Sequence, residues 1–309
     1  MSNVKAYLLG KFCIRCGDHS WDGPEGCKAK ELFCYLLVHR NVIHNREHLA
    51  SILWGDNTAS QSKKYLRQVL WQLHSSCESS LGEAHSRLLL ISPDSIQINP
   101  EIDLWTDIAS FEQAFACLRG KPELGEECMS SLRSAAQIYR GDLLEGLYQD
   151  WCLIERERLQ NMYLIILDRL IGYCETAGDY EVGIDYCSRI LQIDPARERT
   201  HQQMMRLYYF SGDRTAALRQ FDRCLEALKK ELDVRPTRST LALCEQIRAD
   251  QLDFMPVAPS QPVDVSSASL PDVLGRLKQF QRKLADLQSS LQREIQIVEQ
   301  LSTQTIDRD

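Results

Sequence analysis

The stretch Ala59-Ser60-Gln61-Ser62-Lys63-Lys64-Tyr65-Leu66-Arg67-Gln68-Val69-Leu70-Trp71-Gln72-Leu73 decides how the first third of the chain is read. Leu66, Val69, Leu70 and Leu73 recur at i, i+3, i+4 and i+7, one apolar stripe of an α-helix. The other face carries Gln61, Lys63, Lys64, Arg67, Gln68 and Trp71, with no acid between Asp56 and Glu78. Lys and Arg neutralise phosphates, and Arg, Lys and Gln pair with base edges, so such a face suits the DNA major groove. The same pattern also describes an ordinary solvated helix, and its neighbours in the chain decide between the two.

Upstream, Val4, Ala6 and Leu8 alternate with Lys5 and Tyr7, and Phe12 and Ile14 with Lys11 and Arg15, predicting strands of a small antiparallel sheet. Gly17-Asp18 and Asp22-Gly23-Pro24 mark turns. Ala29 to His39 reads as a helix with Leu32, Phe33, Leu36 and Leu37 inward. Asn45 is placed to cap a short helix through Trp54 with Leu49, Ile52 and Leu53 inward. Downstream, Leu88-Leu89-Leu90-Ile91 and Ser95-Ile96-Gln97-Ile98 flank Ser92-Pro93-Asp94 as a hairpin. Sheet, three helices and hairpin are the order of a winged helix-turn-helix, over residues 1–100. In that frame Lys63, Lys64, Arg67 and Gln68 are expected at the major groove and its phosphates. Gln61 and Ser62 lie near the anion-favouring helix N-terminus. Trp71 can stack on a sugar or pack inside the domain, and core packing is the expectation, as for Trp54. Asp94 in the wing turn, from Ser92 to Ser95, is unfavourable beside phosphate.

Lys28-Ala29-Lys30-Glu31-Leu32, Arg46-Glu47-His48-Leu49-Ala50, Leu53-Trp54, and Leu66-Arg67-Gln68 with Leu70 and Leu73 resemble the OmpR-type winged helix of SARP/AfsR-type bacterial transcriptional activators. Those proteins join it to an all-helical bacterial transcriptional activator domain. Asp103-Leu104-Trp105, Phe111, Tyr139-Arg140-Gly141-Asp142-Leu143-Leu144, Asp150-Trp151 and Glu155-Arg156-Glu157-Arg158-Leu159 resemble landmarks of that second domain. The resemblance covers about residues 4–250. It implies a DNA-binding activator that contacts RNA polymerase, with Arg46 as a phosphate contact. One departure is His74, where the family often has a second Arg.

Residues 101–252 are expected to form the second domain, helical throughout from 103. Gly178-Asp179-Tyr180 matches Gly212-Asp213-Arg214 at a spacing of 34, and Ile184, Cys187 and Leu191 then align with Leu218, Phe221 and Leu225. A 34-residue period with a turn between two amphipathic helices is the tetratricopeptide signature, a scaffold that presents a concave surface to protein segments. Arg199 and Arg206, seven apart on one helix, with Arg219 and Asp222 on the next, outline either a pocket for an acidic peptide or nucleotide second messenger, or solvated surface charges.

Pro256, Pro259 and Pro262 among Ser and Val predict a flexible linker over residues 253–269. Over residues 270–303, Leu270, Leu277, Leu284, Leu291 and Val298 fall at heptad a positions. Val273, Phe280, Leu287 and Leu301 fall at d, where Glu294 alone breaks the seam. A coiled coil that forms a homodimer is expected, with a helix docking back on its own chain as the alternative.

The whole chain, 309 residues with 44% hydrophobic and 26% charged residues, is ordinary for a globular protein. It has no apolar run of the roughly 20 residues that span a bilayer. A secretory h-region is also missing at Met1-Ser2-Asn3-Val4-Lys5, so no membrane partner and a cytoplasmic location are expected. The net charge of −7 is uneven: residues 1–100 hold 11 Lys/Arg against 9 Asp/Glu, and the remainder 25 against 34. The asymmetry fits a DNA-facing first domain and an acidic second one. Of the twelve cysteines, Cys34, Cys174, Cys187 and Cys224 sit at apolar helical positions. Cys13-x-x-Cys16 has no second pair at zinc-finger spacing; Cys27 and His19 could complete a ligand set, but no metal is expected. No phosphate-binding loop, nucleophile elbow or zinc-protease motif occurs, and neither catalysis nor a cofactor is expected. The reading is an α+β multidomain, mostly α transcription regulator. The alternative is a signalling scaffold acting through the repeats and coiled coil without DNA.

Overall fold

The structure, a computed structural model, describes residues 4–17, 19–81, 88–118 and 125–252, all within one compact unit. The linker and the heptad seam from Leu270 to Leu301 lie outside the described residues. Three N-terminal strands, β1 (Val4–Tyr7), β2 (Cys13–Cys16) and β3 (His19–Trp21), form an antiparallel set with Val4 opposite Cys16 and Ile14 opposite Trp21. The predicted alternation holds: Val4, Ala6, Leu8, Phe12 and Ile14 are buried, while Lys5, Lys11 and Arg15 are exposed. Helix α1 (Cys27–Val38) covers this sheet, with Phe33 against the rings of Phe12 and Trp21.

After the two-residue strand β4 (His44–Asn45), Asn45 caps α2 (Arg46–Leu53), its Oδ1 accepting from the amides of Glu47 and His48. Helix α3 (Ala59–Leu81) extends two turns beyond the expected Leu73, with Cys77 continuing the buried stripe. The hairpin β5 (Leu89–Ile91) and β6 (Ser95–Ile98) forms around Ser92-Pro93-Asp94, as expected. β6 also pairs with β4, giving a second sheet in the order β4-β6-β5 that ties the hairpin to the start of α2.

The chain is not helical throughout after residue 103. Strand β7 (Leu104–Thr106) lies parallel to β1, with Ala6 opposite Thr106, so the first sheet runs β3-β2-β1-β7. Val-Lys-Ala-Tyr in β1 has an unpaired edge beyond β2, and Leu104-Trp105-Thr106, with a β-branched residue and an aromatic one, is suited to fill it. Thr106 then caps α4 (Asp107–Ala116) by accepting from the Ala109 amide. The buried Asp107 accepts from the Leu8 and Leu9 amides at 2.7 and 2.8 Å, and from the Ile108 amide at 2.8 Å. Burial pushes its carboxyl upward in pKa, and those amide donors pull it back.

Helix α5 (Glu126–Ile138) is followed by a non-helical segment that returns to β1. The Gly10 amide donates to the Asp142 carbonyl, the Leu144 amide to Leu8, and the Glu145 amide to Gly10. Helix α6 (Asp150–Ala177) secures this segment through Arg156, whose guanidinium donates to the carbonyls of Leu143, Leu144 and Leu147 at 2.8–3.2 Å. Cys117 and Cys128 form a disulfide between α4 and α5, a pairing their spacing did not single out.

Helices α7 (Tyr180–Ile193), α8 (Glu198–Phe210) and α9 (Arg214–Leu232) stack in sequence, and α10 (Arg238–Ala249) packs on the last two. The 34-residue period appears as repeated burial: Gly183, Tyr186, Cys187 and Ile190 correspond to Ala217, Gln220, Phe221 and Cys224. Gly178 and Gly212 take φ of +81° and +87° at the two turns, a conformation that glycine adopts without a Cβ penalty. Gly183 has a different role: a Cβ there would lie 3.0 Å from Leu207 Cδ1 and 3.2 Å from Cys174 Cβ, so its absence lets α7 approach α6 and α8.

One hydrophobic cluster runs from Val4 through Leu73, Phe111 and Tyr163 to Leu207, across the junction expected at residue 100. Replacing Asp107 by Ala leaves the buried Leu8 and Leu9 amides without acceptors. It is expected to cost about 3 kcal/mol, read as a lower urea midpoint, with Asp107→Asn losing less because one oxygen remains.

Candidate nucleic-acid interface

Thr58 precedes α3, and its amide donates to Gln61 Oε1 at 3.4 Å. This is the return half of a capping box, three residues into the helix. Ser62 is buried, its hydroxyl donating to the carbonyls of Trp54 and Thr58, both at 3.1 Å. The two residues expected to contact DNA at the helix start therefore have structural tasks. Ser62 is withdrawn from the interface outright, because its oxygen is turned inward.

Lys64, Arg67, Gln68 and Trp71 are exposed at i, i+3, i+4 and i+7, opposite the buried Leu66, Leu70 and Leu73, and have no side-chain hydrogen bond or ion pair among the described residues. Trp71 is 72% exposed, which overturns the expectation that it packs in the core. Its neighbours Leu70 and Leu73 fill the apolar stripe, and the 100° step between residues carries position 71 outside it. Trp54 is partly buried and lies against the core, with its ring 6.3 Å from that of Tyr65 and 5.8 Å from Lys28 Nζ. Lys28 also donates to the Leu53 carbonyl and pairs with the buried Glu31, so it holds α1 to α2.

Lys63 behaves differently from Lys64. Its Nζ lies 2.6 Å from Glu47 Oε1 on α2, and this contact holds the Glu47 carboxyl below its ordinary pKa. The absence of acids along the α3 sequence did not reveal this partner, which arrives from the preceding helix. Arg46, beside it, donates to the Ser92 carbonyl at 3.1 Å, while its amide donates to the Asp94 carbonyl. The expected phosphate contact thus sits against the hairpin turn, which is closed by the Ser92 and Ser95 hydroxyls at 2.7 Å. His74 lies 3.5 Å from Glu78 one turn later, an acid that competes with phosphate at that end of the helix.

The arginines named as a pocket or as solvated charges in the helical repeats fall into two settings. Arg206 Nε lies 3.1 Å from Glu175 on α6, and both side chains are largely buried. Arg199, Arg219 and Asp222 are exposed. Seven-residue spacing brings Arg199 and Arg206 to one side of α8, but α6 covers only the second. Among the described residues no group of three or more His, Cys, Asp or Glu could hold a metal ion, and no helix is long and apolar enough to cross a membrane.

Residues 106–248 match the family model described as the bacterial transcriptional activator domain. Mycobacterium tuberculosis EmbR, solved in complex with a low affinity phosphopeptide, superposes with a TM-score of 0.63 at 19% identity, over 82% of this chain and 67% of that one. A comparison with curated proteins found no match. Residues 106–248 thus carry the bacterial transcriptional activator domain that the sequence resemblance implied, and the likeness to EmbR is one of fold.

Two outcomes follow from these contacts. Glu47→Gln releases Lys63, so affinity for DNA is expected to rise at low salt and the slope of log affinity against log salt to steepen by about one, read by fluorescence anisotropy. Arg206→Ala strands the buried Glu175 carboxylate and is expected to cost about 3 kcal/mol of stability, read by urea denaturation, with no loss of DNA affinity.

Proposed function

We propose that the protein is a sequence-specific DNA-binding transcriptional activator that places α3 in the major groove. Lys64, Arg67 and Gln68 read base edges and adjacent phosphates, Trp71 lies against the sugar-phosphate rim, and Arg46 and Lys63 neutralise backbone charge. The observation that carries this reading is the exposed, partnerless set Lys64, Arg67, Gln68 and Trp71 on one helix face, beside a hairpin fixed to α2. Lys64 and Arg67 have no acid three or four residues away on α3 to pair with, whereas Lys63 is paired to Glu47 on α2, so these two remain available to a polyanion. The activator domain supports the regulatory half of the proposal, with RNA polymerase as the partner contacted at the promoter.

In this reading the protein acts in the cytoplasm as a homodimer through the heptads from Leu270 to Leu301, and a partner or ligand bound to the helical domain sets its activity. The phosphopeptide in the EmbR complex supports a phosphorylated protein segment as one class of signal. The competing reading, a scaffold that works through its repeats without DNA, predicts binding that need not weaken steeply with salt.

The test is a titration of the full chain against DNA upstream of its own gene, at two salt concentrations, beside Lys64→Ala/Arg67→Ala. Specific binding that falls with salt, and a variant that loses most of it with a slope reduced by about two, supports the proposal. Absence of binding at low salt, even to a pool of genomic fragments, supports the scaffold.

A further inference from the structure

Away from α3, a cleft of about 390 Å³ opens where β1 and β2 meet the segment between α5 and α6. That volume lies within the roughly 300–1,000 Å³ of small-molecule sites. Its wall holds three cations, Lys11 from the β1–β2 connection, Arg15 from β2 and Arg140 from the activator domain. All three are exposed, and none has a carboxylate within ion-pair distance among the described residues. The guanidinium carbons of Arg15 and Arg140 both lie close to the Tyr7 ring, at 5.4 and 5.5 Å from its centroid. Tyr7 is held in turn by Trp105, edge to face at 5.4 Å.

Two guanidiniums gathered on one ring repel each other, and the ring quadrupole offsets only part of that cost. An anion between them would relieve the rest, and the planar fork of Arg matches phosphate oxygens in a bidentate manner. The floor of the cleft offers little competition. The amides of Leu9 and Gly10 are spent on Asp107 and Asp142, so recognition falls to the side chains. Asp22 and Glu145 also line the cleft. Carboxylates repel a phosphate but accept bonds from hydroxyl groups, so the lining offers partners for both kinds of group.

From this arrangement we propose that the cleft is a binding site for a small, hydroxyl-bearing phosphate monoester. Arg15, Arg140 and Lys11 take the phosphate, and Asp22 and Glu145 take hydroxyls. Because Arg15 and Arg140 come from opposite sides of the junction, the ligand would bridge the N-terminal sheet and the activator domain, away from the arginines of α8 and α9.

The experiment is isothermal titration of the full chain, without DNA, using ribose 5-phosphate, inorganic phosphate and ribose as probes. Ribose 5-phosphate is expected to bind at one site, phosphate more weakly and ribose undetectably. Arg15→Gln/Arg140→Gln should weaken ribose 5-phosphate at least tenfold while circular dichroism reports a folded chain. Lys11→Gln, on an exposed position, should weaken it severalfold and serves if the double variant does not fold. No binding of either phosphate probe, or unchanged affinity in the folded variants, overturns the site. Equal affinity for phosphate and ribose 5-phosphate overturns the hydroxyl assignment. A double variant that loses DNA affinity and salt slope as far as Lys64→Ala/Arg67→Ala places these cations in the DNA interface and overturns the proposal. Since the titration contains no DNA, failure of the DNA-binding reading leaves its outcome intact.

Discussion

One buried carboxylate sits at the centre of the bonds that join the N-terminal sheet to the rest of the described chain. Asp107 sits at the first turn of α4, where the helix dipole favours its charge, and reaches the amides of Leu8 and Leu9 just beyond the end of β1. Those two donors lie where β1 runs out of ladder partners. Without an acceptor they would be buried and unsatisfied, at a cost comparable to a large share of net folding stability. The parallel pairing of β7 with β1 brings Asp107 into position, and the return of Asp142 and Leu144 to the same strand end closes the arrangement from the other side. Arg156 then satisfies three carbonyls of the returning segment at once, a task suited to a rigid guanidinium fork. The N-terminal helices and the activator domain consequently share one core, rather than being two bodies on a tether.

That sharing explains why α1 is buried almost all round. An amphipathic helix on a small sheet needs one apolar stripe, yet Glu31 through Val38 are all buried. The sheet takes Phe33, and Trp151 at the start of α6 takes Tyr35, ring to ring at 5.1 Å. A self-sufficient winged helix would leave that second face to water. Here it is the seat of the activator domain. The Tyr35 ring also lies 5.3 Å from His44, in the short strand that pairs with the hairpin.

How much of this was legible in the sequence depends on the range of the interaction. Local devices were readable: the alternation of β1 and β2, the Asn45 cap, the Leu66-to-Leu73 stripe, the hairpin around Pro93 and the 34-residue burial period all follow from spacing and backbone preference. Longer-range pairings left little local signal. Leu104-Trp105-Thr106 is too short to register as a strand until the open edge of β1 is known, and Asp107 looked like one acid among many. On α3, the helical stripe separated the buried face from the exposed one, but did not reveal which exposed residues were already engaged. Lys63 and Ser62 are occupied by Glu47 and by backbone carbonyls from outside the helix, whereas Trp71, an aromatic residue in an amphipathic pattern, is left outside the core. Gln61 did carry a local signal, a Gln three residues after Thr58, which marks the capping box.

The engaged and the free cations divide the positive charge of the N-terminal region by purpose. Lys28 joins α1 to α2, Lys63 joins α3 to α2, and Arg46 joins α2 to the hairpin turn. These contacts fix the angle at which α3 is presented, because each crosses between elements rather than running along one. On the outer face of α3 this leaves Lys64 and Arg67, with Gln68 and Trp71 completing the stripe. A formal excess of only two positive charges in residues 1–100 is thus a poor measure of what this surface offers to a polyanion. The structural pairs neutralise one another internally, and the field outside α3 is set by the few side chains that no neighbour restrains. A modest net charge is compatible with a focused cationic face provided that the acids are spent elsewhere, as Glu31 and Glu47 are here.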